Sequence, residues 1–329
     1  MTAMMNRRAL LGVAGASFAL PSEAQPARWA PTRSVTMVVP FAPGGTTDVM
    51  ARLIAQPMSR HFGQSVVVEN VTGAGGNIGA ARVARAEPDG HTVLLAHIGV
   101  LSVNQHLYRD MPYDALRDFA PVGLLCTNPM LLMVSARAGI DSLDALKARA
   151  RSGRLKIATS GNGSTMHLAA LQFLRSVGGT ADLIPYRGGG QAVNDLIAGT
   201  VDMFLEQALG GTPHVRAGVA KAFAVTGPAR LDVLPDVPTA AEAGLDGLDI
   251  QIWNALTLPR AVSPAIANAH NAALSAALDD ALIRTRFTTF AARIPEGEDR
   301  APGALTRIMQ HDGAQWGDLL RAAGVEKGS

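Results

Sequence analysis

The scarcest residue in this 329-residue chain is cysteine, present once as Cys126. One thiol excludes an internal disulfide and any zinc site built from several cysteines. Set among Val122, Leu124 and Leu125, it reads as a buried, inert core thiol. Charge of one sign is also scarce. Only 17% of residues are charged, the formal net charge is +2, and long basic or acidic runs are missing, so neither nucleic acid nor a membrane surface is an expected partner. The eight histidines include no pair at zincin spacing, and no metal is expected. Ser160 and Ser164 lack the flanking glycines of a nucleophile elbow. Beyond residue 24 no apolar run approaches the roughly 20 residues needed to span a bilayer, which predicts a soluble mature protein.

The remainder is rich in core material. With 48% hydrophobic residues, a chain of this length can fill two medium cores, and a two-domain protein with a cleft is expected. At the N-terminus Arg7 and Arg8 precede an uncharged stretch over residues 9–20, followed by small residues in Ser22-Glu23-Ala24. This order predicts a signal peptide over residues 1–24, by the Sec or the twin-arginine route, and a periplasmic mature chain.

Along the chain one unit repeats: a short β-branched strand, a glycine turn, then a helical pattern. Residues 34–40 lead through Gly44-Gly45-Thr46-Thr47-Asp48 to a helix with Val49, Met50, Leu53, Ile54, Met58 and Phe62 at helical spacing. Thr46 or Thr47 is expected to cap that helix, Gly63 to end it and Pro57 to kink it. Residues 65–68 lead through Gly73-Ala74-Gly75-Gly76-Asn77 to a helix near 78–85, and 91–96 is the next strand. Residues 155–159 precede Gly161-Asn162-Gly163-Ser164-Thr165 and a helix to about 177. Residues 181–185 precede Gly188-Gly189-Gly190 and a helix ending near 199, with a strand at 201–205. Such alternation predicts a mostly parallel sheet in each half. Apolar strands at 130–134 and 248–256 are placed as two crossings between domains. The tail from Pro264 is expected to be helical, with a stripe of Ala265, Ile266, Leu274, Ala277, Leu278 and Leu282.

Three of the turns, 44–48, 161–165 and 188–190, place small residues at strand-to-helix junctions. Unpaired N–H groups and the helix dipole there favour an anion without any arginine. Glycines also make plain tight turns, and three such loops together favour a site. The run Gly73 to Gly79 is one residue off the dinucleotide fingerprint, and no acidic residue closes the following strand near Ala96-His97. It reads as a loop shaping the cleft rim. Glu206-Gln207 ends an apolar strand, either as a cleft carboxylate accepting hydrogen bonds or as a solvated strand end. His167 either faces the cleft or is satisfied in the domain wall, and Tyr186 and Trp253 are apolar walls or interface fillers.

The ordered motifs Val38-Val39-Pro40-Phe41-Ala42-Pro43-Gly44-Gly45-Thr46-Thr47-Asp48, Val67-Val68-Glu69-Asn70, Glu87-Pro88-Asp89-Gly90, Pro112-Tyr113-Asp114, Asp118-Phe119-Ala120-Pro121-Val122, Pro185-Tyr186, Ala224-Val225-Thr226-Gly227 and Leu234-Pro235-Asp236-Val237-Pro238-Thr239 resemble the Bug-type receptors of tripartite tricarboxylate transport systems. The resemblance covers nearly the whole mature chain. It implies an α/β fold of the type II-like periplasmic binding protein kind, two α/β domains joined by two crossing strands with a ligand cleft between them. The expected division is 25–133 plus 254–329 for one domain and 134–253 for the other. It also implies a monomeric, non-enzymatic, cofactor-free receptor for a small carboxylated ligand that works with the membrane components of such a transporter. An orphan receptor signalling to a membrane sensor, or an enzyme on the same scaffold, are the alternatives. The expected ligand-binding residues are Phe41, Ala42, Gly44, Gly45, Thr46, Thr47, Asp48, His97, Gly161, Asn162, Gly163, Ser164, Thr165, His167, Tyr186, Gly188, Glu206 and Gln207. Glu206-Gln207 and His97 depart from the family's commoner residues, and their bulk predicts a compact ligand.

Overall fold

A computed structural model of the chain describes residues 29–161, 164–289, 292–322 and 327–328. The signal-peptide segment lies outside the described residues, as do Asn162 and Gly163. The elements run β1 (Val35–Val39), α1 (Thr46–Phe62), β2 (Val66–Asn70), α2 (Asn77–Ala84), β3 (Thr92–His97), α3 (Asn104–Leu107), β4 (Phe119–Ser135), α4 (Leu143–Arg151), β5 (Leu155–Thr159), α5 (Thr165–Val177), β6 (Ala181–Pro185), α6 (Gly189–Ala198), β7 (Met203–Gln207), α7 (Ala208–Arg216), β8 (Ala220–Val225), β9 (Gln251–Pro259), α8 (Pro264–Asp279), α9 (Ala281–Thr289) and α10 (Pro302–Ala322).

Strand order is β2-β1-β3-β9-β4-β7-β5-β6, with β8 also on β4. The pairs β1–β2, β1–β3, β5–β6 and β5–β7 are parallel, as strand–helix alternation dictates. The partners of β4 and the β3–β9 pair are antiparallel. Each half has its own set of paired strands, and the two sets are joined through a shared strand. One strand, β4, pairs with β9 over 119–129 and then with β7 and β8 over 130–135, so hydrogen bonding is continuous across the molecule. Its two prolines explain how this is possible. Proline has no N–H to give a ladder. Pro121 borders a register shift, and Pro129 is the last residue paired with β9 before Met130 takes up β7.

Local rules account for most helix ends. Ser164 caps α5, its hydroxyl accepting from His167 N, and Ser142 and Ser263 do the same for α4 and α8. Gly63 ends α1 with φ 67°, a left-handed position that favours glycine. The N-cap of α1 is Gly45, and neither threonine caps it; the Thr46 hydroxyl reaches elsewhere, as described below. The α1 helix runs on through Pro57 to Phe62. On α8 the residues Ile266, Leu274, Ala277 and Leu278 are buried, while Ala265 and Leu282 of the expected stripe are exposed. The reason for Leu282 is that α8 stops at Asp279, and Asp280 Oδ1 accepts from Leu282 N to begin α9.

Candidate functional site

The C-terminal ends of β1, β3, β5 and β7 meet between the two halves, the place where open α/β sheets bind ligands. They deliver Phe41, His97, Ser160, Glu206 and Gln207 to one central cavity of about 20 Å3, completed by Gly45, Thr46 and Thr47 from the start of α1, Met166 of α5 and Gly189 of α6. Three helices of nine or more residues therefore open towards one point. Their unpaired N–H groups create positive potential there. Two larger cavities flank it. A mouth of about 430 Å3 is lined by Phe41, Gly73 to Ile78, Tyr108, Asp110, Pro112, Ser160, Gly161, Tyr186 and Arg187. A rear cavity of about 390 Å3 lies between the start of α1 and α6 and α7, with Glu206 and His214 in its wall.

The loop from β1 to α1 is held from below. Asp48 Oδ2 accepts from Gly44 N (3.0 Å) and Arg52 Nε (3.0 Å), and its Oδ1 accepts from Asn70 Nδ2 (3.0 Å). Asn70, at the end of β2, also donates to Phe41 O (2.9 Å). Burial works to raise the Asp48 pKa, but these hydrogen bonds and the Arg52 charge hold it below the ordinary carboxylate value. Asp48 thus shapes the loop and lines none of the three cavities.

Across the cleft, Thr46 Oγ1 donates to Glu206 Oε1 at 2.8 Å, and Gln207 N donates to the same oxygen at 2.9 Å. Glu206 is 2% exposed, and burial pushes its carboxyl up to about 7 against these two donors. His97 is stacked on Phe41 with ring centroids 4.6 Å apart. Its Nδ1 accepts from Gly99 N at 3.0 Å, and burial lowers its pKa to about 4, so the ring is neutral. Thr165 Oγ1 lies 3.5 Å from that nitrogen, a second contact between the halves. Beneath the cavity, Gln207 Oε1 accepts from Asn128 of β4 and Asn254 of β9, both at 3.0 Å. Gln207 Nε2 is buried with no protein partner among the described residues, an amide donor on a residue that lines the cavity.

Of the residues singled out in the sequence, Phe41, Gly45, Thr46, Thr47, His97, Glu206 and Gln207 surround the central cavity, Gly161 and Tyr186 the mouth, and Gly44 the rear. Tyr186 is half-buried, its hydroxyl donating to Asp195 Oδ2 at 2.6 Å. Ala42, Ser164, Thr165, His167 and Gly188 line none of these cavities. A Cβ added to Gly188 would lie 3.1 Å from Ala42, so that glycine allows the two halves to touch. Trp253 donates from Nε1 to Asp312 on α10 and lines no cavity. Cys126 is fully buried with its thiol pushed up to about 12 by burial. The sequence reading missed Ser160 and Met166 as lining residues and the Asn128–Gln207–Asn254 cluster, while Gly189 lay in the flagged 188–190 turn without being singled out; of those missed, only Ser160, at a strand end before a glycine loop, carried a usable signal. Among the described residues no three His, Cys, Asp or Glu side chains are grouped to hold a metal.

Two α/β halves bridged by shared strands around a cleft make this a periplasmic-binding-protein fold. A sequence profile described as tripartite tricarboxylate transporter family receptor matches residues 50–325, and the chain belongs to that family of solute-binding receptors. The protein BugT of Bordetella pertussis is 34% identical over 328 residues, which is 98% of this chain and 99% of BugT. MatC of Rhodopseudomonas palustris, solved with bound malate, superposes with a TM-score of 0.84 at 37% identity, covering 88% of this chain and 99% of MatC. A second R. palustris protein, solved with adipate, gives 0.85 at 34% identity over 90% of this chain and 99% of its own.

Proposed function

We propose that this chain is an extracytoplasmic receptor that captures a small carboxylate and presents it to the membrane components of a tripartite tricarboxylate-type transporter, without a catalytic step and as a monomer. The observation that carries this reading is the meeting of three helix N-termini at a cavity between the halves that no lysine or arginine lines among the described residues. Backbone donors suit a carboxylate and hold it without a competing cation. Malate and adipate in the related structures make dicarboxylates the leading class, with amino acids and aromatic acids in the same panel.

A cavity of about 20 Å3 holds roughly one water molecule, so the loaded cleft is wider than this one and the halves move. We assign the moving bodies to residues 25–133 with 254–329 and to 134–253, a division supported by the exchange of β4 partners near Pro129 and Met130. Residues 1–24 are assigned as the export signal. The test is the melting temperature of the chain from Gln25 onward against malate, adipate and other small acids. A saturable rise, abolished by the methyl ester, supports the carboxylate site. A rise with a nucleotide or metal ion and with none of the acids overturns it.

A further inference from the structure

Among the described residues Glu206 is the one carboxyl in the wall of the central cavity, and it also forms part of the rear cavity. Its Oε1 already takes two donors, Thr46 Oγ1 and Gln207 N. Its Oε2 sits against the first turn of α6, where a Cβ on Gly189 would come within 2.6 Å of it. The carboxyl is held in place by these contacts, and a ligand entering the central cavity meets it directly.

Among the described residues no lysine or arginine lines either cavity with it. At the facing end of α1 the charged pair is Asp48 and Arg52, which satisfy each other at 3.0 Å. The α5 helix carries His167 and Arg175, α6 carries Asp195, bonded to Tyr186, and α7 carries His214 and Arg216; β4 and β9 carry no charged residue. Of all these and His97, only His97 and His214 share a cavity wall with Glu206, and burial lowers the pKa of both. A carboxylate ligand would then bring a second negative charge against a buried one that no lysine or arginine pairs, both drawing on the same helix-terminal donors, so closure is favoured when one of them is neutralised.

We propose, on the basis of the receptor reading above, that Glu206 takes up a proton as the cleft closes on a carboxylate and, staying protonated, donates a hydrogen bond from its hydroxyl to a ligand oxygen. One O–H bond forms on Glu206, the proton comes from solvent, and nothing is oxidised or reduced. The preferred ligands are therefore acids with an oxygen acceptor at this end, carboxyl or hydroxyl. An acid bearing an ammonium group there would leave Glu206 ionised and bind without proton uptake. The direction of the Glu206 shift, upwards through burial to about 7, agrees with this.

The test is calorimetric titration of the wild-type chain and Glu206→Gln with malate and with adipate from pH 6.5 to 9, in phosphate and in Tris, whose different ionisation enthalpies report the protons exchanged. For wild type the expected result is uptake approaching one proton at pH 8 and an affinity that falls towards tenfold per pH unit above about 7. Glu206→Gln should lose the pH slope and bind more tightly than wild type at pH 8.5. Should the variant fail to fold, the infrared difference spectrum of wild type decides: malate binding at pH 8 must add the C=O band of a protonated carboxyl. Binding without proton uptake, a pH-independent affinity, or no new carboxyl band overturns the proposal and leaves the receptor reading intact. Failure of every acid in the panel to bind overturns the receptor reading, and this inference with it.

Discussion

Each half contributes one buried carboxyl near the cleft, Asp48 at the start of α1 and Glu206 at the end of β7, and their surroundings could hardly differ more. Asp48, 3% exposed, sits inside a cage of Gly44 N, Arg52 and Asn70, and is held ionised. Glu206, 2% exposed, has a neutral hydroxyl and one backbone N–H, and is pushed towards its neutral form. One carboxylate builds a loop and is used up in doing so. The other lines the central cavity, and the proton-uptake proposal rests on it.

The sharpest way to break this contrast is pH. Glu206 has its folded pKa raised above the unfolded one, so its contribution is greatest at low pH and is lost as pH rises from about 4.5 to about 7; wild-type stability attributable to it should fall by up to about 3 kcal/mol over that window. Glu206→Gln should lack this slope in urea unfolding measured at pH 5 and pH 8. The opposite sign holds for Asp48, whose stabilisation is present above pH 3.8 and is lost as pH falls through its lower folded value. Asp48→Ala should cost about 2 kcal/mol at pH 7, since charged hydrogen bonds are lost while Arg52 is left half exposed to solvent. A smaller effect separates closure from folding. In Gly190→Ala the new Cβ would lie 3.0 Å from Pro43 O across the cleft. Because the loaded cleft is wider than this one, that crowding falls on the unliganded form: the variant should lower the melting temperature of the unliganded chain by the equivalent of about 1 kcal/mol and keep or strengthen carboxylate binding. The smallest expected effect is at Cys126. The folded protein should resist thiol alkylation at pH 8 until denatured, because that thiol is buried and pushed up to about 12.

Much of this was readable beforehand where local chemistry and tertiary role coincide. The strands at 155–159 and 181–185 and the helix ending at Val177 stand where the β-branched runs and glycine turns put them. The turn at 44–48 and the helix after it stand where the glycine pair and the helical spacing put them. Residues whose role depends on long-range pairing were not readable. Pro121 and Pro129 argue locally against a 17-residue strand, and only the change of partners makes both acceptable. Asn128, Gln207 and Asn254 come from three separate strands, and an amide carries no motif of its own. Thr46 looked like a helix cap because its type is right for one; the nearby carboxyl of Glu206 won its hydroxyl.

The β4 strand has a consequence for how the molecule can be taken apart. Proteases cut where a backbone can be drawn out into their active sites, and in two-lobed proteins that is normally the connecting linker. Here one connection is itself 17 residues of sheet, roughly 55 Å of ladder, with all but two positions buried. Limited digestion should therefore trim surface loops and termini long before it separates the lobes.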